Sequence, residues 1–247
     1  MTRPLAGRVA MVTGASAGIG AATVRVLAEA GAVVHAVARR DDRLAALAEE
    51  TECRPHAVDL TDPSARVQLA EVAPEILVNN AGLGAGITGL EGASLADIEQ
   101  TVGTNLTAVL DLLRLCIPEM RARGRGHLVT LGSVAGVYPG PSAIYGATKS
   151  AVRMMGWNLR GELRGSGIRV TEILPGRVRT EFYDAAVPDP ERLNALKETG
   201  IRELTAEDIA DAILYAVTAP SHVNVSAIEL QPLEQTFGGI SFDPVKG

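Results

Sequence analysis

The sequence predicts a doubly wound α/β fold, a parallel sheet with helices on both faces. Three observations carry this prediction. Short apolar runs alternate with longer stretches of helical periodicity along the whole chain. The apolar runs are apolar at nearly every position rather than at every second one, as in strands covered on both faces. The first run passes into a helical stretch through the glycine-rich turn Thr13-Gly14-Ala15-Ser16-Ala17-Gly18-Ile19-Gly20. A length of 247 residues with no linker, repeat or low-complexity segment is accounted for by one domain, 1–247.

The elements follow in order. Arg8 to Thr13 reads as the first strand, and the helical pattern after the glycine turn runs to Ala30, with Gly31 at a helix-ending position. Ala32 to Ala38 is the second strand and Asp41 to Glu50 the next helix, its two aspartates favoured by the positive N-terminal end. Arg54 to Val58 is the third strand. Thr61-Asp62-Pro63 starts a short helix, with a capping side chain before a first-turn proline. Ile76 to Val78 is the fourth strand, ending in Asn79-Asn80-Ala81-Gly82, and Leu83 to Gly92 reads as a glycine-rich mobile loop. Ser94-Leu-Ala-Asp97 is a capping-box start for a long helix through Asn105 toward Met120, with Pro118 placed to kink or end it. His127 to Leu131 is the fifth strand, a helix spans Ala143 to about Leu163, and Ile168 to Leu174 is the sixth strand, broken by Pro175-Gly176. Arg177 to Gly200 has no strand periodicity, holds Pro188 and Pro190, and reads as a lid at about 176–200. Thr205 caps a helix toward Thr218, and Ile228 to Leu230 is a last short strand.

Two groups of residues carry chemistry. The strand, glycine turn, helix, strand order is that of a dinucleotide-binding unit, in which Gly14, Gly18 and Gly20 let backbone N–H groups approach a pyrophosphate. A tight turn without a ligand has the same letters; the order of elements favours the nucleotide. The tip of the second strand, where an acid would hold the 2′-hydroxyl of NAD, reads Val37-Ala38-Arg39-Arg40. Two guanidiniums there favour the 2′-phosphate of NADP over a merely solvated turn. Asp59 and Leu60, at the end of the third strand, face the adenine side. In the second group, Ser133 lies just past the end of the fifth strand, and Tyr145 and Lys149 are one helical turn apart on one face. An ammonium near a phenol favours the phenolate, so Lys149 is expected to lower the Tyr145 pKa from about 10. Tyr-x-x-x-Lys is common by chance and takes its meaning from these surroundings.

Composition narrows the class. A net charge of -6 gives no general footprint for nucleic acid, and no apolar run approaches the roughly 20 residues of a membrane helix. Cys53 and Cys116 lack CxxC spacing, and His35, His56, His127 and His222 form no ligand pair at helical spacing, so neither a disulfide framework nor a metal site is expected. Free thiols and the lack of a long apolar leader fit the cytoplasm.

Taken together, Thr13-Gly14-x-x-x-Gly18-Ile19-Gly20, Asn79-Asn80-Ala81-Gly82, Asn105, Ser133, Tyr145-x-x-x-Lys149 and Pro175-Gly176 resemble, in order, the single-domain short-chain dehydrogenases/reductases over roughly residues 8 to 232. The resemblance implies a seven-stranded Rossmann sheet and a nicotinamide cofactor. It implies that Tyr145 exchanges a proton with the substrate oxygen and that Lys149 holds the nicotinamide ribose. It has Ser133 hydrogen-bond the carbonyl or hydroxyl, and Asn105 hold a water that links Lys149 to solvent. It places Gly14, Ser16, Gly18, Ile19, Gly20, Arg39, Arg40, Asp59, Leu60, Asn80, Ala81, Gly82, Tyr145, Lys149, Pro175, Gly176 and Thr180 against the cofactor. Within the family, Gly132-Ser133-Val-Ala-Gly136, Tyr145-Gly-Ala-Thr-Lys149, Asn158-Leu-Arg160, Thr218 to Asn224 and Leu230-Gln-Pro232 are similar to the NADP-dependent 3-hydroxy acid (L-allo-threonine) dehydrogenases. The tail is also similar to that of clavulanic-acid-type dehydrogenases, which reduce an aldehyde. The resemblance thus implies an NADP(H)-dependent oxidoreductase acting on a small hydroxy acid or alcohol, with an aldehyde/ketone reductase of secondary metabolism as the alternative. It also implies a homo-oligomer, dimer or tetramer, because the helices from Ser94 to Met120 and Ala143 to Leu163 are apolar beyond one inward stripe. Two departures stand out. The stretch from Asp59 to Asn79 is short for the family, and the lid arginines Arg177 and Arg179 are open between a substrate carboxylate, a cofactor phosphate and solvent.

Overall fold

The computed structural model describes residues 3–87, 89–140, 142–187, 189–236 and 242–245. Pro188 of the expected lid and most of the tail after Thr236 lie outside the described residues. The strands are β1 (Val9–Thr13), β2 (Val33–Ala38), β3 (Arg54–Ala57), β4 (Ile76–Asn79), β5 (Gly126–Leu131), β6 (Ile168–Pro175) and β7 (Ala227–Leu230). They form one parallel sheet in the order β3-β2-β1-β4-β5-β6-β7. The helices are α1 (Gly18–Glu29), α2 (Asp41–Thr51), α3 (Pro63–Ala70), α4 (Leu95–Val102), α5 (Ala108–Arg123), α6 (Ala143–Glu162), α7 (Phe182–Ala186), α8 (Pro190–Lys197) and α9 (Ala206–Thr218).

Successive strand residues point to opposite faces, and the two cores show it. Val12, Ala36, Val78, Val129 and Ile173 pack against Val24 and Leu27 of α1, Leu44 of α2, and Ile209 and Ile213 of α9. Their neighbours Met11, Val37, Leu77, Leu128 and Val170 pack on the other face against Leu69 of α3 and Leu112, Leu113 and Met120 of α5. A fully buried aliphatic side chain contributes about 1.5–3 kcal/mol, so two such faces explain why the central strands β1, β2, β4 and β5 are mostly apolar. The caps expected from the sequence form: Asp62 at α3, with reciprocal capping boxes of Ser94 with Asp97 and of Thr205 with Asp208.

Three expectations need correction. The helix from Ser94 toward Met120 is not continuous, because a π-turn at Gly103–Thr107 joins α4 to α5. A π-turn inserts one residue per turn and shifts the helical face beyond it. Pro118 does not end the helix; α5 runs on to Arg123. The segment read as a lid without strand periodicity is not all loop, since it carries α7 and α8, the second capped by Asp189 with Pro190 in its first turn.

His127 lies fully buried on β5. Thr171 Oγ1 donates to Val225 O at 2.6 Å, so the ring at 2.8 Å donates Nε2–H to that oxygen, leaving Nδ1 bare and buried. Burial first, then the charges of Arg169 and Arg8, push its pKa down to about 3 from 6.5. The native ring therefore stays neutral while the unfolded ring binds a proton below 6.5. Its contribution is complete above pH 6.5 and is lost as pH falls toward 3, at about 1.4 kcal/mol per pH unit. Melts are expected to show about 2 kcal/mol lost between pH 6.5 and 5 through this ring alone, with a flatter slope in His127→Gln. Equal slopes in both proteins would overturn this account.

Candidate active site

The carboxyl ends of β1, β4, β5 and β6 open into one cavity of about 940 Å³. At the crevice where strand order reverses, Thr13 and Asn80 tie β1 to β4. Thr13 Oγ1 accepts N–H bonds from Asn80 and Ala81, both at 3.0 Å, and Asn80 Nδ2 donates to Thr13 O at 2.8 Å. Ligands of open α/β sheets bind at this position.

One end of the cavity has nucleotide chemistry. The α1 N-terminus has Ala17 at its cap, no side-chain cap and no acid in its first turn, so its N–H groups are left to face the cavity. Gly14, Ser16, Gly18, Ile19, Arg39, Arg40, Asp59, Leu60, Asn80, Ala81 and Gly82 line the cavity, as do Pro175, Gly176 and Thr180, the last of them against Gly18. Gly20 does not line it. A Cβ at Gly20 would lie 2.2 Å from Gly14 O, so this glycine serves helix–strand packing rather than close approach to a ligand. Asp59 Oδ1 accepts from Thr61 N and Oγ1, and these bonds hold its carboxyl below the usual carboxylate range. Arg66, missed in the sequence, fixes the Leu60 carbonyl and pairs with Asp111 at 2.6 Å.

The other end holds Ser133, Tyr145 and Lys149. Ser133 Oγ accepts from Ala135 N at 3.1 Å, which fixes the hydroxyl at the head of the short turn Val134–Gly136. Ser142 caps α6, which carries the other two residues. Lys149 Nζ donates to Leu131 O at 2.6 Å and stands 5.6 Å from the Tyr145 ring centroid. Desolvation lowers Lys149 to about 8, opposed by the charge of Glu172. Glu172 is a carboxylate buried in β6 that the sequence reading passed over; burial raises its pKa, and Arg153 is its ion-pair partner at 3.3 Å.

The expected lowering of the Tyr145 pKa does not hold. The ring is partly open to the cavity, yet desolvation raises the phenol well above 10, and a Ser133 hydrogen bond opposes this. At the 5.6 Å separation Lys149 gives its hydrogen bond to the Leu131 carbonyl rather than to the phenol. Asn105 lies buried in the π-turn outside the cavity lining. Its Nδ2 donates to Leu83 O and Thr148 Oγ1 and its Oδ1 accepts from Leu83 N, so the side chain clamps the loop after β4.

The lid arginines part company. Arg177 is buried: it pairs with Glu203 at 2.6 Å, donates to Leu196 O and lies over the Tyr183 ring, all of which tie the segment from 177 to 203 together. Arg179 is exposed and does not line the cavity. Phe182, Tyr183, Tyr138 and Phe242 complete the wall near Tyr145. Among the described residues five aromatic side chains thus line this cavity.

Residues 8–191 match the short chain dehydrogenase family. An NADP-dependent 3-hydroxy acid dehydrogenase of Salmonella typhi is 36% identical over 243 residues, covering 94% of this chain and 98% of that protein. A serine 3-dehydrogenase of Agrobacterium fabrum is 35% identical over 238 residues, covering 93% and 95%. Among solved structures, the closed form of a serine dehydrogenase complexed with NADP+ superposes with a TM-score of 0.89 at 33% identity, covering 94% of this chain and 98% of that one. With the parallel sheet, the glycine turn and the Ser133, Tyr145 and Lys149 cluster in place, the chain belongs to the short chain dehydrogenase family.

Proposed function

We propose that the protein is an NADP(H)-dependent oxidoreductase that interconverts a small 3-hydroxy acid and its carbonyl. The observation that carries this reading is the arrangement of one cavity, with Arg39 and Arg40 at one end and Ser133, Tyr145 and Lys149 at the other. Relatives of near-equal length that are named for this cofactor and this substrate class support it.

The cavity fits a dinucleotide. Its volume lies within the range of cofactor sites, and the uncapped α1 N-terminus and the arginines match pyrophosphate and 2′-phosphate respectively. Ser16, Asp59, Leu60 and Asn80 to Gly82 would hold the nucleotide, and Pro175, Gly176 and Thr180 its nicotinamide end. When bound, a nicotinamide cofactor supplies or accepts the hydride. The chain's own residues manage the proton and the charge on oxygen. Ser133, its acceptor side engaged by Ala135 N–H, points its own proton at the substrate oxygen. Tyr145 gives or takes the proton at its hydroxyl, and Lys149 favours the phenolate when charged. Burial keeps the free phenol protonated, so the proton is in place for reduction, and a nearby cation is needed to favour the phenolate in either direction.

The same reading makes the chain a cytoplasmic homo-oligomer, dimer or tetramer. Leu110 of α5 and Met154 and Trp157 of α6 leave apolar surface exposed on neighbouring helices, which supports association. Among the described residues no helix is long and apolar enough to cross a membrane, and no group of three metal-ligating side chains occurs.

Steady-state oxidation of L-serine, L-allo-threonine and 3-hydroxypropionate with NADP and with NAD tests the proposal, with sedimentation at the assay concentration reading the assembly. Turnover with NADP at least about 10-fold above NAD is expected from a charge-assisted arginine–phosphate contact. Equal use of both cofactors would remove the arginine reading. Inert hydroxy acids, with an aldehyde reduced by NADPH, would move the substrate to the biosynthetic-reductase class. A monomer would remove the association.

A further inference from the structure

We propose that Glu181 is a specificity-determining latch: it holds the lid on Arg40, one of the two arginines assigned to the 2′-phosphate, and on the adjacent Arg43, and it yields them when that phosphate binds. The inference rests on the NADP reading above. Glu181 precedes α7 and reaches back across the mouth of the cavity. Its carboxylate accepts from Arg43 Nη1 at 2.8 Å through both oxygens and from Arg40 Nη1 at 3.0 Å. Arg40 Nε in turn donates to Ser16 Oγ at 3.1 Å. Two guanidiniums converge on one carboxylate, with a hydroxyl held beside them by Arg40, and guanidiniums and hydroxyls are the donors a phosphate monoester takes. Here the chain itself supplies the oxyanion, from the lid.

Arg43, then Arg40, hold the Glu181 carboxyl below the usual carboxylate range, so it is charged at neutral pH. A phosphate on the same arginines would meet a like charge at contact distance, so the two oxyanions exclude one another. All of the groups are at least two-fifths exposed, and such exposed ion pairs exchange partners at little cost.

The neighbouring residue gives the exchange its consequence. Phe182 lies against the catalytic end, its ring centroid 5.3 Å from that of Tyr145, and it fills the space beside Gly84. Release of Glu181 therefore loosens the ring that covers Tyr145. A 2′-phosphate at one end of the cavity would free the substrate position at the other, so the cofactor enters first and the substrate second. A dinucleotide lacking that phosphate leaves Glu181 on its arginines and Phe182 over Tyr145. The arginines select NADP by attraction, and Glu181 selects against NAD by staying in place.

Backbone hydrogen exchange of the 181–187 segment, with 2′,5′-ADP and with 5′-AMP as probes, tests the latch without turnover. In the wild-type protein 2′,5′-ADP is expected to raise exchange there several-fold, and 5′-AMP to leave it unchanged. In Glu181→Gln the segment should exchange fast from the start, with no further response, and the 2′,5′-ADP Kd should fall about 3- to 10-fold. Tight binding of 2′,5′-ADP with unchanged exchange overturns the latch and leaves the cofactor reading standing. Weaker 2′,5′-ADP binding in Glu181→Gln also overturns it, because Glu181 would then assist the phosphate. Equal affinity for 2′,5′-ADP and 5′-AMP overturns the cofactor reading, and the latch with it.

Discussion

Replacing Tyr145 with Phe is expected to lower turnover about 10³-fold or more while leaving NADPH affinity and thermal stability near those of the wild-type protein. The substitution removes one oxygen and keeps the ring that packs against Phe182 at 5.3 Å. What is lost is the only group among Ser133, Tyr145 and Lys149 whose proton is both on a tunable acid and aimed into the cavity. Lys149 donates a hydrogen bond to the Leu131 carbonyl, and Ser133 is too weak an acid to replace a phenol. Proton transfer by a positioned side chain contributes about 10²–10⁴-fold, and here the same hydroxyl also stabilises charge on the substrate oxygen. Steady-state oxidation of the preferred hydroxy acid with NADP, with a fluorescence titration of NADPH alongside, reads both quantities. Turnover within about tenfold of wild type would reject the assignment of Tyr145 as the proton donor.

The second large effect is expected from Gly136→Ala. Gly136 closes the short turn headed by Ser133, and α6 crosses it at Lys149. A Cβ there would lie 2.7 Å from the Lys149 carbonyl carbon and 2.8 Å from its oxygen. Those are backbone atoms of a long helix, so relief must come from moving α6 away from the turn. Such overpacking costs about 1–3 kcal/mol. It also separates Ser133 from Tyr145 and Lys149, and a displacement of about 1 Å can lower rate about 10²-fold. A Cβ at Gly161, on the same helix, would meet nothing within 4 Å, so Gly161→Ala is the control and should hold or slightly raise the melting temperature. Kinetics and melts of the two variants check the contrast. A Gly136→Ala protein as active and stable as Gly161→Ala would show that α6 and the Ser133 turn are not packed as tightly as described.

What the sequence made legible depended on how local its cause was. The strands announced themselves because two helical layers demand apolar residues on both faces. The caps at Asp62, Ser94 and Thr205 act within three residues of themselves and were read directly. The π-turn around Asn105 was not legible, since one inserted residue barely disturbs an apolar period. α7 and α8 escaped notice because they are short and held by contacts distant in sequence, Arg177 on Leu196 O and the Tyr183 ring, and Lys197 with Asp184 between the two helices. Arg43 and Glu181 are 138 residues apart, and nothing in either neighbourhood points to the other. Glu172 was different: a carboxylate in the second half of β6, followed by Ile173-Leu174-Pro175, was a visible signal of a buried charge behind the active-site lysine. The Tyr145 pKa was misjudged because spacing along a helix reports proximity, whereas burial decides the larger contribution.

The clustering of aromatic rings around the cavity has a spectroscopic consequence. Three of the four tyrosines, Tyr138, Tyr145 and Tyr183, line the cleft, while the single tryptophan, Trp157, lies half exposed on α6 beneath the Arg153 guanidinium. Tyrosine absorbance and near-ultraviolet dichroism therefore report on the cleft and the lid. Tryptophan emission reports on the outer face of α6, where Arg153 links the Trp157 ring to the buried Glu172 carboxylate. The chain thus carries two separable optical signals, one for what enters the cavity and one for what covers the helix behind it.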